Sequence, residues 1–410
     1  MEAFALACAP RAGLSRAFLG TSIKYSGARG QAQRAFLRKN FGDVPNWEDC
    51  ESDAFKDEAP DCDLLLSGFP CQPFSIGGKG QGKRDAKGRG IVILSILHYI
   101  RKHLPGLVLL ENVKGLVSRH GDVLKMIVEA LEAAGYYVSW RLLDTHRYSG
   151  IPHKRQRFFL LALKTAGTWP ARGGRDQFLF HVVWPRPIPC PALSSILDPV
   201  SVVADSDRNP WTQKYPRMNL ANALRLVKTK AIRERRNPFD YCAVADLGGT
   251  KLLMGWNLAP CLTRSRGRAF EVWSLQHGRP LNLRELCNMQ GLDVNEMNLE
   301  GTSCSALGAM LGNGFTCTMI ARILASGLQA LGLVKEEHVV AEDEDSGDGS
   351  LLGYDSHRGA LGPDGSPFAG KAVSRPAWIG VSGLAWGGQS TTRGGRDPRP
   401  CHRRPRFGIG

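Results

Sequence analysis

Three groups in this chain stand where side chains do chemistry. Cys71 sits in D-L-L-L-S-G-F-P-C-Q-P-F-S, Asp63 to Ser75, just past a short apolar run that breaks at Gly68 and Pro70. Pro70 and Pro73 bracket the thiol and stiffen its loop, which suits a fixed nucleophile. Glu111 closes a second apolar run, in L-L-E-N-V, and Arg155 and Arg157 open a third, in Y-S-G-I-P-H-K-R-Q-R-F-F. A thiolate adds to an electron-poor centre, a half-buried carboxylic acid delivers a proton, and a guanidinium favours thiolate and holds an oxygen. Taken singly, each group has an inert reading: a loop cysteine, a surface acid, two solvent-facing arginines. Their order and their placement beside strand ends point to covalent catalysis.

Something must bring them together. Cys62–Ser67 reads as a buried strand, Gly90–His103 as a helix with Ile93, Ile96, Leu97 and Ile100 inward, and Leu107–Leu110 as a strand ending at Glu111-Asn112. A helix over His120–Ala134 and strands over Tyr136–Leu143 and Arg157–Leu163 follow, and a short helix over Gln31–Asn40 precedes. Alternating strands and helices predict an α/β fold with a Rossmann-like doubly wound sheet. In such sheets ligands sit outside the carboxyl ends of the strands, so the three groups can share one rim. The glycine- and lysine-rich Ile76–Gly90 reads as a flexible linker or as a lid closing on a nucleic-acid backbone.

The pattern dissolves near Lys164. Thr165–Gln276 is rich in Pro, Trp, Arg and Asn, with one helix over Asn219–Arg236 that ends in K-T-K-A-I-R-E-R-R. It reads as a smaller irregular domain. Regular pattern returns at Asn282–Gln290 and at Ser305–Leu331, a helix broken around Gly312-Asn313-Gly314. After Lys335 an acidic run, Glu342–Asp345, leads into Gly, Ser, Pro and Arg, which reads as a disordered tail. The expected divisions are 1–164, 165–278, 279–334 and 335–410.

The 410 residues are 43% hydrophobic, enough for a sizeable core. No uninterrupted apolar run approaches the roughly 18 residues of a membrane span. The 11 cysteines are odd in number and scattered, which argues against a disulfide framework, and no CxxC pair offers a structural zinc or other metal site. A formal net charge of +15 favours a polyanionic partner. Met1–Pro10 lacks a basic start and makes a poor secretory signal, while the Arg-rich, acid-free Arg11–Asn40 leaves an organelle transit peptide open.

The heptapeptide Phe69-Pro-Cys-Gln-Pro-Phe-Ser75, with Glu111-Asn112-Val113 and the two arginines behind it, resembles the cytosine carbon-5 DNA methyltransferases. The resemblance covers about Asn40–Leu331. It implies S-adenosylmethionine as methyl donor and double-stranded DNA as partner. The target cytosine is implied to be flipped out of the stack, because its ring atoms are out of reach in a duplex. It further implies Cys71 as nucleophile at carbon 6 of the ring and Glu111 as the acid at nitrogen 3. Arg157 would bind the ring oxygen and Arg155 support the loop; Pro70, Gln72, Ser75 and Asn112 would touch the substrate. His153 stands where the family has Gln. R-P-L-N-L-R-E-L, Arg279–Leu286, resembles the segment that braces the recognition domain, with Asn282 where Thr is usual. Leu311-Gly312-Asn313-Gly314-Phe315 resembles the closing motif beside the cofactor, which makes Asn313 a cofactor residue, and 165–278 then corresponds to target recognition.

The resemblance breaks at the start. The family's strand and Phe-x-Gly-x-Gly-Gly turn, which cradle S-adenosylmethionine, are missing: Phe18–Lys24 holds only Gly20, and Gly27-Ala28 stand where an acid is expected. Asp49 in W-E-D-C is a loose match for the adenine contact. Because the later motifs are nearly intact, a misassigned first exon is expected rather than a degenerate member. Two rival functions stand beside DNA methylation. Cys261-Leu262-Thr263 echoes the Cys-Phe-Thr of the tRNA-methylating subfamily, and the missing turn suits a silent nucleic-acid-binding homologue. A nuclear location is expected from a DNA substrate, or a cytoplasmic one if the chain is bacterial.

Overall fold

The computed structural model describes residues 19–20, 28–41, 46–47, 50–70, 74, 92–165, 184–199, 201, 212–331, 353–355 and 359–361. They divide into two compact units, with boundaries at Cys190–Pro191 and Asn313–Gly314. Both boundaries lie further along the chain than the expected 164/165 and 278/279. The segment Arg279–Asn313, expected to rejoin the first domain, groups with the second unit.

The first unit opens with β1 (Leu19–Gly20), α1 (Ala28–Phe41) and β2 (Asn46–Trp47), whose strands pair in parallel as a separate two-stranded sheet. Next come α2 (Asp53–Glu58), β3 (Leu64–Gly68), α3 (Val92–His103), β4 (Leu107–Val113), α4 (Gly115–Arg119) and α5 (Gly121–Glu132). β5 (Tyr136–Asp144), α6 (Thr145–Tyr148) and β6 (Gln156–Lys164) complete the run. The main sheet has the spatial order β5-β6-β4-β3. β3 and β4 are parallel, and β6 lies antiparallel between β4 and β5. That insertion decides the geometry of the rim. Because β6 runs the other way, its first residues lie where β3 and β4 end: Gly68 faces Glu111, Glu111 faces Phe159, and Val113 faces Arg157.

The period-2 alternation of the strands sorts their side chains onto two faces. Val108 and Leu110 of β4, with Phe158 and Leu160 of β6, join α3 and α5 in one apolar cluster. Leu107 and Leu109, with Phe159 and Leu161, join a second cluster on the opposite face. Both strands are buried on both faces, which is why they read as unbroken apolar runs.

The second unit contains α7 (Lys214–Glu234), β7 (Ala243–Asp246), β8 (Leu253–Trp256), α8 (Arg264–Ala269), β9 (Val272–Ser274) and β10 (Arg279–Pro280). α9 (Leu283–Asn288) and α10 (Cys304–Asn313) follow. Its strands form a sheet of order β10-β9-β7-β8, antiparallel at every pairing. The unit is therefore more regular than its sequence suggests. Strands of two to four residues fall below any periodicity window. α8 and α10 touch backbone to backbone, and a Cβ on Gly267 would lie 2.0 Å from the Gly308 carbonyl oxygen.

The chain then returns to the first unit as α11 (Cys317–Ala330), whose Met319, Ile320, Ile323 and Leu324 cover the second face of the main sheet. Cys304–Ala330 is long and apolar enough to cross a membrane by length and composition, and 67% of its most apolar window is buried inside the protein. Counting uninterrupted apolar residues missed it. Finally, β11 (Gly353–Asp355) pairs antiparallel with β5, and β12 (Gly359–Leu361) pairs with β11. These two strands lie inside the tail expected to be disordered. β5 is otherwise an edge strand, and an edge accepts a short segment by backbone hydrogen bonds alone.

Candidate active site

The rim starts where β3 gives way to Phe69 and Pro70. Phe69 and Phe74 are fully buried and meet edge-to-face, with ring centroids 5.8 Å apart. Phe74 in turn meets the ring of His120 edge-on at 5.4 Å. These contacts anchor Phe69 and Phe74, the described residues that flank Pro-Cys-Gln-Pro in sequence. Cys71, Gln72 and Ser75 themselves lie outside the described residues, as does Asp49. Pro70 is half-buried directly after Phe69.

β4 runs on to Val113, so Glu111 and Asn112 belong to the strand instead of following it. This corrects the expected end at Leu110 and has a physical cause: both polar residues are satisfied within the sheet rim. Asn112 is fully buried, and its side-chain amide donates to the Phe69 carbonyl at 3.1 Å while its Oδ1 accepts from the Val113 amide at 2.8 Å. Expected as a substrate contact, Asn112 is here a brace between β4 and the start of the Cys71 loop.

Glu111 is 3% exposed, and its Oε1 lies 3.3 Å from Nε of Arg157. Arg157 is further fixed by donation from Nη1 to the Gln156 carbonyl at 2.8 Å. The pair exists because β6 is antiparallel, and it points both side chains at one place on the rim. A buried carboxylate loses several kcal/mol of hydration unless it is paired, so each partner holds the other in position.

Arg155 is buried, and its guanidinium donates to the Gly314 carbonyl at 2.7 Å. Its backbone amide donates to Asp144 Oδ1 at 3.0 Å, and its carbonyl accepts from the Thr145 amide and hydroxyl at 3.0 and 3.1 Å. The Thr145 hydroxyl also reaches Thr316 Oγ1 at 3.4 Å. Arg155 therefore ties the β5–β6 turn to the segment that enters α11. Asp144, Thr145, Thr316 and His120 were missed by sequence reading. Phe74, inside the heptapeptide, and Gly314, inside Leu311–Phe315, lay in motifs that were read but were not singled out.

Burial pushes Cys62 up to about 11, and burial also raises Cys190 and Cys242. Among the described residues no group of three His, Cys, Asp or Glu side chains could hold a metal.

In the second unit, the Arg279–Leu286 segment carries a polar network that extends to Asp198. Arg279 grips Glu285 through two bonds of 2.8 Å, and Asn282 caps α9 by accepting from the Glu285 amide at 2.9 Å while its own amide donates back at 2.8 Å. Asn caps a helix at least as well as Thr, so the departure at Asn282 costs nothing here. Thr263 precedes α8, and a Cβ on Gly312 would lie 2.2 Å from its carbonyl oxygen. Cys261-Leu262-Thr263 thus forms a packing junction.

β1 offers one glycine, Gly20, and Asn313 is half-buried at the end of α10.

The C-5 cytosine-specific DNA methylase family matches residues 1–328, and the chain belongs to that family. The type II methyltransferase M.NgoBI of Neisseria gonorrhoeae is 28% identical over 289 residues, 70% of this chain and 78% of that protein. M.DsaV of Dactylococcopsis salina is 39% identical over 126 residues, 30% of this chain and 34% of the relative. M.HaeII of Haemophilus aegyptius is 36% identical over 173 residues, 42% of this chain and 47% of the relative. The chain thus spans less than half the length of these last two. Among solved structures, an S. pombe Dnmt2 methyltransferase is 16% identical with a TM-score of 0.46, covering 80% of this chain and 96% of that one.

Proposed function

We propose that this chain is a DNA (cytosine-5-)-methyltransferase acting on a cytosine flipped out of double-stranded DNA. The observation that carries the reading is the antiparallel β6, which sets Arg157 against Glu111 on the rim where β3 leads into the Phe69–Phe74 loop. The nucleophile in that loop is Cys71, whose thiolate adds to carbon 6 of the ring. Glu111 serves nitrogen 3, drawing electron density from the ring as the new C–S bond forms, and Arg157 holds the ring oxygen. Carbon 5 is then the nucleophilic end of an enamine. S-adenosylmethionine, implied by the family, would supply the methyl group. Loss of the carbon 5 proton lets the C–S bond break and returns the thiolate. Pro70, Gln72 and Ser75 shape the loop against the base. Arg155 and Asn112 act as positioning residues.

The second unit is the region that selects the DNA sequence, in keeping with its different architecture and with the Arg279–Glu285 brace. That region spans Pro191–Asn313. The curated relatives are bacterial, which supports a cytoplasmic enzyme and gives a nuclear location no support.

The test is transfer of labelled methyl groups from S-adenosylmethionine, with unmethylated duplex DNA and unmodified tRNA offered side by side. Label on DNA, abolished by Cys71→Ala with DNA binding retained, is the expected result. Label on tRNA alone would move the activity to RNA. Absence of label on both from folded protein would leave a silent homologue, the reading that the missing glycine turn favours.

A further inference from the structure

The longest helix of the second unit carries more charge than its packing requires. α7 buries Pro216, Asn219, Leu220, Ala223, Val227 and Ala231, spaced three or four residues apart, as a single stripe. That stripe packs against Tyr241, Ala243, Ala245 and Trp273. On the opposite side stand Lys214, Arg217, Arg225 and Lys228, all exposed, at offsets of 3, 11 and 14 that return to one side of a helix. Arg235 and Arg236 follow directly after the last turn, also exposed.

These six cations have no ion-pair partner among the described residues. The one acid on α7, Glu234, is already engaged. It accepts from Lys230 at 2.5 Å, from Arg233 at 3.3 Å and from the Tyr241 hydroxyl at 2.8 Å. Those bonds hold its carboxyl down at about 2, so it stays an anion committed to its neighbours. Lys230 is held further by the rings of Tyr241 and Trp256, each 5.3 Å away. The two ends of the charge distribution are thus separated: the acid is tied up beside the sheet, and the outer stripe is purely basic.

A row of unpaired cations with no interleaved acid repels itself and is stabilised by an anion that matches its length. The 21 residues of α7 extend over about 31 Å, close to one turn of duplex DNA at roughly 34 Å. Three exposed apolar residues, Met218, Leu224 and Ile232, stand among these cations on the same side, so lipid vesicles enter the experiment as a competing surface. We propose that the outer stripe of α7, continued by Arg235 and Arg236, is a sequence-independent binding surface for the phosphate backbone of duplex DNA. The inference rests on the reading of DNA as substrate and adds to it a surface distinct from the reaction centre.

The experiment compares the full chain with a triple variant, Arg217→Gln, Arg225→Gln and Lys228→Gln. Gln keeps helix propensity near that of Arg and Lys, so the melting temperature should hold. Dissociation constants are measured from 50 to 200 mM salt on two duplexes, one with and one without cytosines to methylate. Each lost phosphate contact lowers the slope of log K against log salt by about 0.9, so the triple variant should lose roughly 3 from the slope, equally on both duplexes. The single variant Arg225→Gln should lose about 1 and serves if the triple variant melts early. An unchanged slope in a folded variant would overturn the inference while leaving the proposed activity standing. A wild-type chain that binds no DNA would instead overturn the reading on which it rests. Tight binding of wild type to anionic phospholipid vesicles, with no slope change on DNA, would assign the stripe to a membrane and overturn it also.

Discussion

At the rim, two residues are set by the same fact: a polar side chain inside a sheet must find a partner. Glu111 finds Arg157, and Asn112 finds the Phe69 carbonyl. Their consequences differ. Glu111→Gln keeps the shape of the carboxylate but cannot deliver a proton, so kcat should fall about 100- to 10,000-fold with DNA affinity nearly unchanged, in a steady-state methyl-transfer assay beside a binding titration. Equal turnover would remove Glu111 from the chemistry. Asn112→Ala leaves the buried Phe69 carbonyl without its donor and should cost about 1–3 kcal/mol in urea unfolding. It should also lower turnover, because the loop after Phe69 loses its tether. A loss of stability with full turnover would show that the tether is dispensable. The identity of these residues was plain in L-L-E-N-V, but their placement was not: the strand seemed to stop at the first charged side chain, since nothing in the sequence says that an arginine two strands' length away will neutralise it.

The element that organises the site is β6. Its apolar run reads as a strand of the right length, yet its direction is invisible, because alternation has the same period whichever way a strand runs. Only the observed register shows that Arg157 stands opposite Val113 at the mouth of β4. α11 covers the sheet face behind it, and the approach depends on Gly327, where a Cβ would lie 3.1 Å from a Leu107 methyl and 3.4 Å from one of Leu161. Gly327→Leu would force four more carbons into a filled interface and should destabilise the chain by about 1–3 kcal/mol, with loss of activity following loss of fold. A thermal melt at or above the wild-type midpoint would contradict this packing. Helices α3 and α5 were legible from their periodic apolar faces, while α7, read as Asn219–Arg236, begins at Lys214. The strands A-V-A-D, L-M-G-W and V-W-S of the second unit were not legible, being too short and too rich in small residues to show a period.

As a whole molecule, the chain holds an α/β unit and a second unit built on an antiparallel sheet, and its net charge of +15 favours a polyanionic partner. The α/β class and the break between α10 and α11 were readable from sequence. The unit boundaries were not, because Arg279–Asn313 carries ordinary helical patterns that fit either unit; its assignment rests on contacts such as the bonds from the Asn288 side-chain amide to the Ile196 carbonyl at 3.1 Å and from the Asn282 side-chain amide to Asp198 at 2.7 Å. The strand pairing of β11 with β5 was equally hidden, since an edge recruits backbone regardless of side chain. The account depends most on one covalent bond, between the Cys71 sulfur and carbon 6 of cytosine. The direct measurement is mass spectrometry of a denatured reaction with S-adenosylmethionine and a duplex carrying 5-fluorocytosine, whose fluorine cannot leave as the proton does. The account predicts a stable protein–DNA adduct mapped to Cys71 and absent in Cys71→Ala. Methyl transfer to normal DNA by the Cys71→Ala chain, or an adduct mapped to another residue, would contradict it.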